Sequence, residues 1–316
     1  MKETVKELAA GDTITSVSGF DSIATGVVGK VWLNELIAAA KKKMFFEQFA
    51  YVTQAPQGNK DVAVPLYSSN LSFEITTTEA TVRTMTQVDN LTTVVFTPAT
   101  KKMGVAISTD VVRTSQVDVV AFAREQLVYD SALNIDSALV TAIGAATTNA
   151  VIFGPGRAAR GNLVAGDVMT TDMIAQANRV LKAQGWYSEP DRPFVLFIAA
   201  QQEEALLKDS QFINAAEYGS NDVVMNGEIG RYLGIRVIST QNITSFSNGG
   251  GGGNLAGHKA FMLKARVSYG LVYGERPKLD FEYKKNEATY NVYLDMCYQA
   301  KVLQGNAIQV MEVLDA

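Results

Sequence analysis

Three stretches of the sequence predict an α+β fold. Between Asp61 and Val112 there is no helical period, and β-branched residues alternate with others as they do in strands. From Val117 to Ile143 apolar residues recur at three-, four- and seven-residue intervals, the spacing of one long helix. Farther on, "RPFVLFIAA" is a continuous apolar run, expected of a strand buried on both faces, and "QQEEALLKDSQFI" leads back into helix.

The bulk composition allows such a fold. Of the 316 residues 47% are apolar and 19% charged, and the length suggests roughly two domains, each able to bury a core. The opening "MKETVKELAAGD" lacks the apolar stretch of a secretory signal, and no run approaches the ~18 apolar residues of a membrane span. A soluble chain made in the cytoplasm, with no membrane partner, is therefore expected. Net charge is −4, and no basic block exceeds Lys41 to Lys43. Proteins that grip nucleic acid show a basic stripe, because phosphate contacts dominate that affinity, so tight DNA binding is disfavoured.

Taken in order, Met1 to about Phe20 is polar and reads as an arm. After Asp21 and Ser22, Val28, Trp32 and Leu36 fall at four-residue steps and predict a short amphipathic helix. Lys41 to Lys43 suit its carbonyl end. In the extended segment Val62, Val64 and Leu66 alternate, then Leu71, Phe73 and Ile75. Few large apolar residues lie between Thr76 and Asn90, so the middle of this stretch buries little inside its own domain. It is expected to form a long hairpin lying on another subunit, rather than a surface loop. The helical stripe that follows is Val117, Ala121, Val128, Ala132, Ile135, Leu139 and Ile143; its roughly 27 residues would span about 40 Å.

A connection rich in glycine, from Gly144 to Gly166, marks a change of domain. Thr171 and Asp172 open the helix "MIAQANRVLKAQ" and Gly185 closes it, with the usual asymmetry of caps. "GEIGRYLGIRVIST" reads as a strand with glycine turns. The run Gly249, Gly250, Gly251, Gly252 and Gly253 then interrupts regular structure, which resumes in "KAFMLKARVSYG". Glycine loses the most freedom on ordering, so such a run belongs where several conformations are needed. "KLDFEY" and "YQAKVL" alternate as closing strands, and Gly305-Asn306 predicts a hairpin joining the latter to "AIQVMEV".

Little in the sequence points to catalysis. With one cysteine and one histidine, zinc sites, Ser-His-Asp triads and Cys-His dyads have almost no material. Cys297 in "YLDMCYQAK" reads as a small buried strand residue and His258 as a bystander beside the glycine loop. "GGGGGNLAGHK" lacks the GxxxxGK[ST] order of a phosphate loop, and "GPGRAARG" lacks the GxGxxG spacing. Glu203 and Glu204, with Lys208, read as a solvated helix face carrying an ion pair. The triplets at Asn70, Asn90 and Asn242 read as chance glycosylation matches, since no signal peptide is expected. No catalytic residue, cofactor or metal ligand is expected.

The extended segment of Asp61 to Val112, the helix of Val117 to Ile143, "RPFVLFIAAQQEEALLKDSQFI", "GEIGRYLGIRVIST" and the terminal "YQAKVLQGNAIQVMEV" stand in an order that resembles a tailed-bacteriophage major capsid protein of the Hong Kong 97 (HK97-like) fold. The resemblance covers nearly the whole chain and rests on the order of parts. It implies an N-terminal arm (1–20), a short helix region (21–60), an E-loop (61–112) and a spine helix with peripheral domain (113–167). An axial domain (168–268) and closing strands of the peripheral domain (269–316) complete it. Phe73, Ile75, Val82, Met85 and Leu91 would then lie on a neighbouring subunit, and Gly249 to Gly253 near the centre of each capsomer.

The implied function is structural: pentamers and hexamers of the chain form an icosahedral shell around double-stranded phage DNA, without sequence-specific binding. About 20 residues before the first helix leave no room for a large scaffolding segment, so a separate scaffolding protein is expected, with a portal and, on some shells, decoration proteins. No residue pair matches the lysine-asparagine cross-link of some members. An encapsulin-type cargo compartment would share the fold. A soluble two-domain enzyme with a flexible lid is the alternative of another class.

Overall fold

The computed structural model describes residues 42–56, 60–67, 91–115, 118–209, 231–249 and 254–315. The predicted arm of residues 1–20, the stripe of Val28, Trp32 and Leu36, the arm residues Phe73, Ile75, Val82 and Met85, and Gly250 to Gly253 lie outside them.

A single-turn helix α1 (Phe46–Phe49) leads into a strand β1 (Tyr51–Gln54) that the sequence pattern did not reveal. Strands β2 (Val62–Tyr67) and β3 (Leu91–Phe96) form an antiparallel pair of their own, and β4 (Ala99–Ser108) follows. The predicted extended segment is therefore divided. Only β2 and β3 make the hairpin, whereas β4 joins a larger sheet, and Val111 and Val112 fall in a short helix α2 (Thr109–Thr114). Ser108 stops the strand there, its Oγ accepting from the Asp110 amide at 3.3 Å as an N-cap.

The long helix α3 (Val119–Gly144) starts at Asp118, whose carboxylate accepts from the amides of Val120 and Ala121. Its buried residues include Ala123, Leu127, Ser131, Ile135, Leu139 and Ile143, a ladder of four-residue steps. At 3.6 residues per turn each step gains about 40°, so the buried line winds around the helix. The straight stripe predicted from sequence meets it only in the C-terminal half. Ala121 is exposed and Val128 is 50% exposed.

After β5 (Ile152–Phe153), helix α4 (Thr171–Ala183) buries Met173, Ile174, Ala177 and Leu181 and ends at Gly185 with φ +83°. Then come β6 (Phe194–Ile198), α5 (Ala200–Lys208), β7 (Arg231–Tyr232) and β8 (Ile235–Ser239). The β7–β8 turn places Leu233 and Gly234 at positive φ, the geometry of a two-residue hairpin loop. Strands β9 (Ser245–Ser247), β10 (Ala256–Lys264), β11 (Tyr269–Lys284), β12 (Thr289–Val302) and β13 (Ile308–Leu314) complete the chain.

Two sheets share these strands. One is ordered β1-β11-β12-β4, with β1 parallel to β11; the other runs β5-β13-β10-β6-β8-β7, with β9 paired to β10. Alternate residues of β6 and β10 point to opposite cores. Val195, Phe197, Phe261 and Leu263 meet α1, α3 and the first sheet, while Leu196, Ile198, Ala260 and Met262 meet α4 and α5. That two-sided burial explains the uninterrupted "FVLFI".

The hairpin predicted at Gly305-Asn306 does not form. β12 ends in the first sheet and β13 crosses to the second, where it pairs with β10 and β5. Asn149 holds the crossing in place, its Nδ2 donating to the carbonyls of Asn306 and Ile308. Gly305 lies so close to Thr148 that a Cβ there would collide with it. Close approach, not a turn, is what requires that glycine.

Candidate functional site

The β2–β3 hairpin is tied to the first sheet at its base. Phe96 is fully buried with Val272 and Leu303; the Thr97 amide donates to Gln299 Oε1 at 2.6 Å, and Lys301 Nζ to the Val95 carbonyl at 2.8 Å. Pairing then runs outward from Val62 with Phe96 to Tyr67 with Leu91, and no third strand joins it among the described residues. Leu91, the one predicted arm residue with a described backbone, sits at the outer end of this register. A hairpin without a third strand or a covering helix is marginal in water, so this one gains from lying on another surface.

The two strands that flank the glycine run in sequence, β9 and β10, form a second hairpin. β9 and β10 pair up to Ser247 with Ala256, and beyond them the Asn248 amide donates to the Leu255 carbonyl at 3.1 Å. Asn248 is 5% exposed; its Oδ1 accepts from the Leu255 amide and its Nδ2 donates to the Leu163 carbonyl at 3.0 Å. Gly249 follows with φ +60°. The base of this hairpin is thus clamped on both sides. Asn248 escaped the sequence reading, although asparagine before glycine is a hairpin signal.

Charge pins the surroundings of this tip. Arg160, from "GPGRAARG", faces the buried Glu312 of β13 with Nε to Oε2 at 2.7 Å and Nη2 to Oε1 at 2.5 Å, and its guanidinium lies 4.9 Å from the Phe246 ring. Lys259 Nζ is 3.6 Å from Glu312 and donates to the Gly144 carbonyl at 3.0 Å, reaching the end of α3. Arg157 pairs with Asp167 at 2.7 Å. His258 belongs to the same cluster, with Nδ1 2.7 Å from Asp315 Oδ1. The arginines of the glycine-rich loop are therefore engaged by carboxylates.

A third node joins α1, α3, the β8–β9 connection and β11 of the first sheet. Asp136, 1% exposed, accepts from the Phe46 amide at 2.9 Å and from Asn242 Nδ2 at 2.8 Å. The Tyr269 hydroxyl donates to the Phe46 carbonyl at 2.6 Å. Burial pushes the Asp136 carboxyl up from its usual range, against the hydrogen bonds from Asn242 and the Phe46 and Phe45 amides, and the charge of Glu47 adds to the rise. A carboxyl raised in the folded state binds its proton more tightly there than in the unfolded chain. Its contribution to stability is therefore present at acid pH and lost as pH rises through the raised value. Asp136→Asn should flatten that decline in urea midpoints measured from about pH 4 to pH 7.

Cys297 is half-buried in β12, and Glu204 pairs with Lys208 at 2.5 Å on an exposed face of α5. Among the described residues no three of His, Cys, Asp and Glu converge as a metal would need, and no helix is long and apolar enough to cross a membrane.

A family model described as "Phage capsid protein" matches residues 91–296. No curated protein matches the chain in sequence. Among solved structures, the chain is similar to the capsid of Ralstonia phage GP4, with TM-score 0.68 and 16% identity over 92% of this chain and 96% of that one. It is similar to the cyanophage Pam1 capsid asymmetric unit, with TM-score 0.69 and 18% identity over 93% and 98%. The capsid of the native GTA particle gives TM-score 0.68 and 13% identity over 96% and 99%.

Proposed function

The chain belongs to the phage capsid protein family and has the Hong Kong 97 fold, and from that premise we propose that it builds pentamers and hexamers of an icosahedral shell around double-stranded phage DNA. It is a structural protein of the virion capsid, and this reading assigns it no catalysis. The β2–β3 hairpin carries the proposal. Anchored at its base and joined by no third strand among the described residues, it suits an arm that completes its burial on a neighbour. Phe73, Ile75, Val82, Met85 and Leu91 are the residues assigned to that contact.

In this reading the segments keep the roles that the resemblance implies, from N-terminal arm to closing strands. Assembly takes place in the host cytoplasm with a separate scaffolding protein and a portal, and decoration proteins can bind outside. The net charge of −4 fits a wall that encloses its genome without gripping it. Gly249 to Gly253, on the clamped hairpin, would take up the different spacings at five-fold and six-fold axes.

Electron cryomicroscopy of the purified chain, alone and with lysate of infected cells, is the test. Closed shells of uniform size are expected, with packaged DNA where the other phage components are present; only small particles under both conditions would sink the reading. Replacing Gly249 to Gly253 by alanines should disturb assembly or shell size. Unchanged shells with equally ordered loops would remove the glycines' assigned role.

A further inference from the structure

Asn248 is followed in the chain by Gly249. In an Asn-Gly pair the glycine nitrogen can close on the asparagine side chain with no Cβ of its own residue in the way, so ring closure and loss of the side-chain amide are easier there than before any other residue. Asn242 and Asn254 stand in the same stretch but precede Ile243 and Leu255, whose branched side chains crowd that approach. Gly249 is exposed, whereas Asn248 is 5% exposed.

Ring closure requires Asn248 Cγ to come within bonding distance of the Gly249 nitrogen. Three bonds oppose that movement in the folded chain. Oδ1 accepts from the Leu255 amide at 3.1 Å, Nδ2 donates to the Leu163 carbonyl at 3.0 Å, and the Asn248 amide donates to the Leu255 carbonyl at 3.1 Å. All three are made where the pairing of β9 with β10 ends, at Ser247 with Ala256, so the side chain is freed when that end of the hairpin opens.

We propose that Asn248 is a deamidation site, gated by opening of the β9–β10 hairpin, and that its product cannot restore the clamp. The Gly249 nitrogen gives its proton to water and bonds to Asn248 Cγ; the Cγ–Nδ2 bond breaks, and Nδ2 leaves as ammonia with a proton from water. Water then opens the succinimide at either carbonyl, leaving an aspartyl or an isoaspartyl residue at position 248, with no change of oxidation state. A carboxylate has no proton to donate to the Leu163 carbonyl, so two acceptors face each other where a bond had been. The isoaspartyl form also adds a carbon to the main chain beside the paired residues. Deamidation therefore releases the hairpin from the loop of "GPGRAARG" and Leu163 in one direction only, and adds a negative charge. The site belongs to a single subunit and stands whether or not shells form.

The full chain is aged in mildly alkaline buffer, folded and in guanidinium chloride, and digested with trypsin. The peptide between Arg236 and Lys259 carries Asn242, Asn248 and Asn254, and is separate from the one holding the other Asn-Gly pair, Asn226-Gly227. Deamidation reads as a gain of about one mass unit, placed by fragmentation. The unfolded chain should gain it at position 248 well before Asn242 or Asn254, and the folded chain at least about tenfold more slowly. A disulfide between Ser247→Cys and Ala256→Cys, cross-strand partners, in a Cys297→Ser background should slow the folded reaction further. Equal rates in folded and unfolded chain, a disulfide without effect, or no reaction at position 248 in guanidinium chloride overturns the gated site. Asn248→Asp should speed hydrogen exchange over residues 245–258 and leave α4 unchanged; unaltered exchange overturns the release.

Discussion

Phe46→Ala is expected to destabilise the subunit by about 3–5 kcal/mol, the range for emptying a large buried aromatic site. Phe46 is fully buried; its ring stacks on Phe197 with centroids 4.2 Å apart and meets Phe261 edge-on at 6.5 Å. The substitution keeps the backbone bonds to Asp136 and Tyr269, so the loss is one of packing, and the single turn of α1 has no other means of closing the cavity. Urea unfolding should show a lowered midpoint at unchanged slope. Val111→Ala, at a site 47% exposed on α2, is the control and should stay within about 0.5 kcal/mol. Equal effects from the two would show that α1 does not belong to the core.

Arg160→Ala should cost about 2–3 kcal/mol. Removing one partner of a buried pair leaves an uncompensated charge, and Glu312 is 2% exposed in the middle of β13. The value falls below that of a fully buried pair because the Arg160 side chain is 42% exposed and Lys259 still lies 3.6 Å from Glu312. Glu312→Gln in the Arg160→Ala background should recover part of the loss, since a neutral amide does not leave a charge stranded. A double-mutant cycle in thermal or urea unfolding checks this, and additivity of the two changes would show the pair to be uncoupled. The same variants should loosen the loop of "GPGRAARG" against Phe246 and so the base of the glycine hairpin.

The candidate site was legible where its signal was local. The glycine run announced itself in composition, and the extended segment in its alternation. Asn248 could have been found from its place before Gly249. Glu312 and Arg160 could not, because they are separated by 152 residues and meet only when β13 crosses to the second sheet. Asp136 was likewise hidden: it is one of three carboxylates in α3, and nothing in its neighbourhood shows that an amide 90 residues earlier will occupy it.

By itself the sequence determined the long helix and its C-terminal buried half, the two-sided strand β6, the end of helix α4 at Gly185, and the ion pair of Glu204 with Lys208; the cap expected at Thr171 and Asp172 does not form, since the N-cap is Thr170 and its side chain caps nothing. Each is set by periodicity or by neighbours within a turn or two, which the chain carries whatever its tertiary context. Only the tertiary structure decided that β12 and β13 part into different sheets, that β4 leaves the arm, that β1 exists, and that the buried line of α3 winds away from the straight apolar stripe. Strand pairing and helix crossing depend on which distant surfaces meet. A local period reports how many faces are buried and not against what.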